Sequence, residues 1–177
     1  MRVYLDTASL SLLIEQKTAP EAEAVRGLLE LGRGGGVQLL HSMVVDSWLW
    51  GGRSAGRQAA LEPELLAAHV QDVRSTLPIT KFSTSALQKL TAEQKGPLYP
   101  RVTQAYARWF YQRSEIGLII HTLTSLQHAA DVLATGEAAK WPRFVGANLD
   151  HLARQENQKG LTFALPSRAL ELVQTTA

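Results

Sequence analysis

The sequence predicts an α/β fold in which helices cover both faces of a mainly parallel central sheet. Short apolar runs alternate with longer segments whose apolar residues recur every three or four positions, the pattern of strands alternating with helices. The 177 residues are 45% hydrophobic and include no cysteine, so a hydrophobic core can form and disulfides cannot. Because such alternation is typical of parallel sheets, we expect a three-layer α/β/α sandwich that occupies residues 1–177 as a single domain.

The first part of the chain contains two expected strands and three expected helices. Pro20 suits the first position of a helix, and Gly32 suits its end. The glycine-rich tract at 32–36 connects a helix to a strand and lacks the Lys-Ser/Thr pair of a phosphate-binding loop, which indicates a plain turn. The expected elements are a strand at 3–5, a helix at 10–14, a helix at 20–32, a strand at 37–40 and a helix at 43–50.

The middle of the chain predicts an enlarged helical region at about 53–113. Within it, apolar residues recur from 102 to 110 at the spacing of one helix face. The elements expected from here to the C-terminus are a loop at 51–56, a helix starting at Pro63, a strand at 79–82, helices at 83–90, 102–110 and 116–139, strands at 144–145 and 161–165, and a final helix after Pro166.

Acidic residues follow the expected strands at one edge of the sheet. Asp6 comes directly after the first strand, and Asp46 lies four residues beyond Ser42, which closes the second. Asp150 follows the strand at 144–145. Ligands of open parallel sheets bind outside the carboxyl ends of the strands. We therefore expect these acids to share one edge of the sheet and to form an acidic site there.

Five short stretches at the two ends of the chain form a series. The sequence VYLDTASL at 3–10 is an apolar strand followed by Asp and Thr, and GVQLLHS at 36–42 is a strand that ends in Ser. Later come ADVLAT at 130–135, FVGAN at 144–148 and GLTFALPS at 160–167. In this order the stretches resemble the PIN-domain family, small α/β nucleases that include toxin–antitoxin ribonucleases. The resemblance covers residues 1–50 and 115–173 and implies that 130–135 belongs to a helix.

The resemblance implies a metal-dependent ribonuclease with an acidic active site. Converging carboxylates repel one another unless a hard cation such as Mg²⁺ or Mn²⁺ neutralises them. Such an ion activates water and offsets the charge that builds up on a phosphodiester. Asp6 and Asp131 would share the ion. The implied catalytic acids are Asp6, Asp46, Asp131 and Asp150, and the residues that would hold them in place are Thr7, Ser9 and Asn148.

Two parts of the implied site depart from the family pattern. The second acid of the family stands six residues beyond the strand-ending Ser, where this chain has Trp48. The positions expected for the fourth acid hold Leu149 and His151. An alternative function is therefore a catalytically degenerate PIN-like module that binds RNA or a protein partner without cutting.

Single residues of the implied site also have simpler interpretations. Asp6 stands where an Asp commonly caps the helix that follows a strand. His121 and His128 lie on one expected helix, and His128 comes three residues before Asp131. That spacing is typical of a surface His–Asp pair rather than of catalytic histidines.

Composition and charge limit the partners and the location. The net charge of +2 and the pI near 9.0 allow a polyanion such as RNA as a partner. No run of 18 apolar residues suits a membrane span, and the absence of cysteine fits a reducing compartment. We expect a cytoplasmic protein that acts on RNA and, as a toxin, is silenced by an antitoxin.

The apolar stripe at 102–110 predicts self-association. Domains of the PIN family commonly pair, and the stripe is larger than one core is expected to cover. Light scattering at roughly tens of micromolar protein should therefore give the mass of a homodimer. A monomer at that concentration would contradict the expectation.

Overall fold

The computed structural model describes residues 1–15, 18–43, 45–46, 51–73, 121–122, 124–136 and 161–176. A 3₁₀ turn at Gly51–Arg53 precedes the helix that begins at Ser54, and the described residues of 43–46 and 121–127 are helical. The strands are β1 (Arg2–Leu5), β2 (Gln38–His41), β3 (Gln71–Asp72), β4 (Val132–Ala134) and β5 (Thr162–Ala164). The other helices are α1 (Thr7–Glu15), α2 (Pro20–Arg33), α3 (Ser54–Ala67) and α4 (Pro166–Thr176).

The described strands form one parallel sheet in the order β3-β2-β1-β4-β5. β1 lies at its centre, with Val3 beside Leu39 of β2 on one side and beside Val132 of β4 on the other. The expected α/β class with a mainly parallel sheet is therefore confirmed. The strand order reverses between β1 and β4, and in open parallel sheets ligands bind at the carboxyl ends of such a switch point.

The neighbouring strands β1 and β4 are buried on both faces. Val3, Tyr4 and Leu5 have no exposed surface, and neither has Leu133 in β4. Continuously apolar runs of this kind are typical of parallel strands covered by other elements. Helix α2 packs against α1, α4 and β2, and α4 also contacts β4 and β5. The helices and the central strands therefore share one hydrophobic core.

The turn between α2 and β2 needs glycine at two places. A β-carbon on Gly32 would lie 2.7 Å from the carbonyl oxygen of Ala68, so the close approach of the end of α3 excludes a side chain there. Gly35 has a φ of +73°, and the amide of Gly36 donates to the carbonyl of Leu31. This pattern closes a helix with a left-handed residue. The glycine tract is thus a plain turn, as predicted, and α2 runs one residue beyond the predicted end.

The segment predicted as one helix at 116–139 contains a strand. Its described residues are helical at 121–127 and then form β4, so the helix prediction is wrong for 132–134. Ala129 has a φ of +50°, and the amide of Ala130 donates to the carbonyl of Ser125, which ends the helix. A strand buried on both faces is as continuously apolar as a buried helix, so periodicity does not separate them.

Helix α3 begins earlier than predicted. It starts at Ser54, inside the segment expected to be a loop, and continues through Pro63, which was expected to be its first residue. Leu61 and Leu65 are buried one turn apart, and their packing holds the helix in place on both sides of the proline. The helix was also expected to continue through Val70 and Val73, which is wrong, because α3 ends at Ala67 and Gln71–Asp72 forms β3. The strand β3 was not predicted, because these two residues are polar and exposed.

The remaining expected elements divide into two groups. The strand at 161–165 and the helix after it are confirmed as β5 and α4. The strands at 79–82 and 144–145, the helices at 83–90 and 102–110, and most of the region 53–113 lie outside the described residues, so these elements, the single domain and the homodimer stay predictions. Among the residues that the structure describes, no helix is both long and apolar enough to cross a membrane.

Replacing Leu133 by Ala should lower the free energy of unfolding by about 2–5 kcal/mol, because it leaves a cavity in a fully buried central strand. Urea unfolding followed by circular dichroism measures the change. The matched control is Leu66→Ala on α3, where Leu66 is 66% exposed, and a change within about 0.5 kcal/mol is expected. An equal loss in the two variants would contradict the central position of β4.

Candidate functional site

Buried polar side chains collect at the carboxyl edge of β1 and β2. Asp6 and Asp46 are only 2% and 0% exposed, although carboxylates are seldom buried unless they are paired. Each of them therefore needs partners inside the protein. The other buried polar residues at this edge are Thr7, Ser9, His41, Ser42 and His121.

Asp6 caps α1 at the switch point of the sheet. Its Oδ1 accepts a 2.7 Å hydrogen bond from the amide of Ser9, and its own amide donates to the carbonyl of Ala134 over 3.2 Å. The hydroxyl of Ser9 donates to the same carbonyl at 2.8 Å. Because Ala134 ends β4, these contacts place Asp6 between the carboxyl ends of β1 and β4. The capping role that the sequence allowed is therefore present.

Asp46 has a hydrogen-bond partner on each carboxylate oxygen. Oδ1 accepts from the hydroxyl of Thr7 at 2.5 Å, and Oδ2 accepts from Nε2 of His41 at 2.6 Å. The amide of Asp46 donates to the carbonyl of Ser42 in the first helical turn after β2. This turn brings the side chain to the carboxyl edge, beside the start of α1.

His41 is a buried cation paired with Asp46. Its Nδ1 donates to the carbonyl of Leu5 at 2.8 Å, and its Nε2 donates to the carboxylate. A carbonyl and an ionised carboxylate can only accept, so both ring nitrogens carry a proton. Burial lowers the pKa of His41, but the charge of Asp46 and the hydrogen bonds to Asp46 and Leu5 outweigh it and raise the pKa above its ordinary value.

His121 is buried and neutral. Burial lowers its pKa to about 3, and the charge of Asp46 offsets only part of this effect. Its Nδ1 lies 2.9 Å from the hydroxyl of Tyr4, and its Nε2 lies 2.7 Å from the hydroxyl of Thr7. Burial, followed by the charges of Asp46 and Asp6, raises the pKa of Tyr4 well above its ordinary value. His121 is only 2% exposed and belongs to this buried edge, whereas the surface pair expected of His128 and Asp131 stays a prediction.

Asp131 lies at the opposite edge of the sheet from Asp6. Its Oδ2 accepts a 2.7 Å hydrogen bond from the amide of Arg2, the first residue of β1. The four residues from there to Asp6 span about 13 Å of extended chain, so the expected sharing of one ion by Asp6 and Asp131 is wrong. The cause is the misassigned helix, because an acid that precedes a strand falls at the amino edge of the sheet.

The remaining residues of the expected site lie outside the described ranges. Asp150 and Asn148 are among them, together with Trp48, Leu149 and His151, so their places stay predictions. Within the described part of the chain, no group of three or more His, Asp or Glu side chains could hold a metal ion. The described donors toward a metal are therefore fewer than the resemblance implies.

Asp6 and Asp46 are the described acids that could serve a divalent cation. Mg²⁺ is usually held by one or two carboxylates, while waters and substrate phosphates complete its octahedron. An ionised carboxylate has about four acceptor sites, so the hydrogen bonds to these acids still leave room for a metal contact. Ser42, which directly follows β2, adds a buried hydroxyl that lacks a hydrogen-bond partner in the described residues. The donor set thus fits Mg²⁺ or Mn²⁺ that is held partly by the substrate.

Sequence reasoning missed three members of this cluster. His41 could have been found, because it precedes Ser42 at the predicted carboxyl edge. Tyr4 belongs to an apolar run and resembles a core residue. His121 is 114 residues from its partner Thr7, so no sequence spacing connects the two.

No protein-family model, curated protein or solved structure matches this chain. The resemblance to the PIN-domain family therefore stays a prediction from the sequence motifs. The residues of those motifs that meet at the carboxyl edge are Asp6, Thr7, Ser9 and Ser42, with Asp46 beside them.

The two buried histidines should give opposite pH dependences of the free energy of unfolding. For His121, with a folded pKa of about 3, the unfolded chain binds the proton first, so stability falls as the pH drops below about 6.5. For His41, whose pKa is raised, the folded chain binds the proton more tightly. Its contribution is complete below about pH 6.5 and is lost as the pH rises through the folded pKa.

Urea unfolding of the wild type, His121→Gln and His41→Gln across this pH range measures both effects. The advantage of the wild type over His121→Gln should shrink towards low pH, and its advantage over His41→Gln should shrink towards high pH. Each slope is limited to about 1.4 kcal/mol per pH unit. Two slopes of the same sign would contradict the protonation states given above.

Proposed function

We propose that this chain is a PIN-like, metal-dependent ribonuclease that hydrolyses RNA phosphodiester bonds. The observation that supports this most is the position of Asp6, which is buried at the carboxyl end of the central strand β1 and beside the switch point. Open parallel sheets bind their ligands at this place. Asp46 reaches the same edge through its hydrogen bond from Thr7, which supplies a second carboxylate.

Asp6 would hold Mg²⁺ or Mn²⁺, with Asp46 as the neighbouring acid and substrate phosphates as further ligands. When bound, the ion would supply an activated water and neutralise charge on the phosphodiester. The amide of Ser9 fixes one oxygen of Asp6, and the hydroxyl of Thr7 fixes one oxygen of Asp46. Groups held in this way need little reorganisation when substrate arrives.

The buried cation His41 would make the edge more receptive to RNA. Its imidazolium offsets one of the two carboxylate charges through the contact with Asp46. Without this charge, the metal ion alone would have to offset both carboxylates and the phosphodiester. The net charge of the whole chain, +2, also suits a polyanionic substrate.

The proposal extends to the finer features of the family. These are the three-layer α/β/α sandwich, a single domain over residues 1–177, a cytoplasmic location and an antitoxin that silences the enzyme. Asp150 and Asn148 would join the acidic edge from outside the described residues.

A second function is favoured by the contacts of Asp46 and Asp131. Both oxygens of Asp46 already have partners, one of them the cation His41, and Asp131 bonds to the amide of Arg2 at the other edge. These contacts reduce the acids available to a metal ion. They favour a catalytically degenerate PIN-like module that binds RNA, or a protein partner, without cutting.

Asp6→Asn should lower the rate of RNA cleavage in Mg²⁺ or Mn²⁺ by about 100-fold or more, since loss of a ligand costs at least as much as loss of a residue behind it. The free energy of unfolding should change little, because Asn and Asp rank alike as helix caps. Cleavage of a fluorescent single-stranded RNA and urea unfolding of the same sample measure the two quantities.

The discriminating control is Asp131→Asn. Asn still accepts from the amide of Arg2, and full cleavage activity is expected because the residue lies at the amino edge. Equal losses in the two Asn variants would contradict the proposed site. A wild type that binds RNA but cleaves none with any divalent cation would favour the degenerate module, and one that neither binds nor cleaves RNA would leave only a protein partner.

A further inference from the structure

We propose that His121 is a positioning residue of the carboxyl edge. As a neutral imidazole with its proton on Nε2, it donates to the hydroxyl of Thr7 and so directs the proton of that hydroxyl to Asp46. The role of this contact in RNA cleavage rests on the proposed function, whereas the contact itself does not.

The directions of the hydrogen bonds follow from what each group can donate. The carboxylate of Asp46 only accepts, so the 2.5 Å contact uses the one proton of the Thr7 hydroxyl. At the 2.7 Å contact with His121, the same hydroxyl oxygen must then accept. The donor there is Nε2 of His121, which therefore carries the ring proton.

Tyr4 supports the same tautomer from the other side of the ring. With its proton on Nε2, a neutral His121 has a lone pair on Nδ1, and the hydroxyl of Tyr4 lies 2.9 Å away as the donor. The phenol keeps this proton because the pKa of Tyr4 is raised well above its ordinary value. The edge thus contains one directed series of donors, from Tyr4 through His121 and Thr7 to Asp46.

One contact favours the opposite tautomer and is too weak to impose it. The amide nitrogen of Thr7 lies 3.4 Å from Nε2 of His121 and would need a lone pair there. That distance is beyond the usual range of 2.7–3.2 Å for such bonds. If Nε2 only accepted, Asp46 and His121 would compete for the single proton of Thr7, and one of the two short contacts would be lost.

The series matters because it joins two separate parts of the chain at the site. Thr7 begins α1 after β1, whereas Asp46 lies in the turn after β2, and the 2.5 Å bond links them. Without the N–H of His121, the Thr7 hydroxyl has one partner fewer and its rotation is less restricted. Removing such a supporting residue typically costs about 10–100-fold in metal affinity or activity.

The test compares His121→Leu, which lacks the donor at a similar size, with His121→Gln, whose amide can still donate to Thr7. Nitrogen-15 NMR of the histidine rings at pH 7 gives the tautomer, and Mn²⁺ titration and RNA cleavage give the consequence. We expect a protonated Nε2 and a bare Nδ1 on His121. His121→Leu should lose about 10–100-fold in Mn²⁺ affinity or cleavage rate, and His121→Gln should recover most of it. His128→Leu, in the turn directly after the same helical segment, is the matched control and should change neither.

The possible failures separate the inference from the proposed function. A proton on Nδ1 or on both nitrogens of His121 at pH 7 overturns the inference even in an active ribonuclease. So does an active His121→Leu variant that keeps full Mn²⁺ affinity and rate. If the wild type neither binds Mn²⁺ nor cleaves RNA, the proposed function fails, and the inference is then tested by the NMR chemical shift of the His41 ring protons. This chemical shift reports on the position of Asp46. For the inference to stand, it must change in His121→Leu and return to the wild-type value in His121→Gln.

Discussion

The structure depends on the burial of β1 on both faces at the centre of a parallel sheet. No side chain of Val3–Leu5 has exposed surface, so the chain turns polar only where the strand ends. Asp6 and Thr7 occupy this point and are still buried, which obliges them to find hydrogen-bond partners inside the protein. The cap of α1 and the bond from Thr7 to Asp46 satisfy that need. The constraint that forms the core therefore also builds the polar edge.

The buried charges at this edge fix the arrangement of its side chains more than they stabilise the folded protein. Replacing a buried ion pair with apolar residues is often neutral, whereas removing one partner typically costs about 3–5 kcal/mol. The pair of His41 and Asp46 therefore contributes little net stability but strongly disfavours any arrangement that separates the two. The donors around it remove further freedom, because each hydroxyl and ring nitrogen has one compatible direction. Such a network holds carboxylates in defined positions, as a binding or catalytic edge requires.

Local sequence was sufficient to predict the strands and helices that periodicity or a helix-starting residue alone determines. The strand before Asp6, the proline that begins α2 and the final strand and helix follow from patterns within a few residues. Periodicity failed at β4, because a strand covered on both faces has the same apolar run as a buried helix. That error moved Asp131 to the wrong edge of the sheet. Periodicity also failed at β3, because its two exposed polar residues become a strand only by pairing with β2.

The sequence by itself determined the α/β class, the first strand with Asp6 at its end, and the arrival of a second acid near that end, because strand polarity and short spacings are local properties. Only the tertiary structure decided which groups meet there. Thr7 and His121 are 114 residues apart, and the hydrogen bond from His41 to the carbonyl of Leu5 joins the end of β2 to the end of β1. Protonation states follow the same division. Burial lowers the pKa of both histidines, but the charge and hydrogen bond of Asp46 outweigh it at His41, whereas burial dominates at His121. Both causes arise only when distant segments pack together.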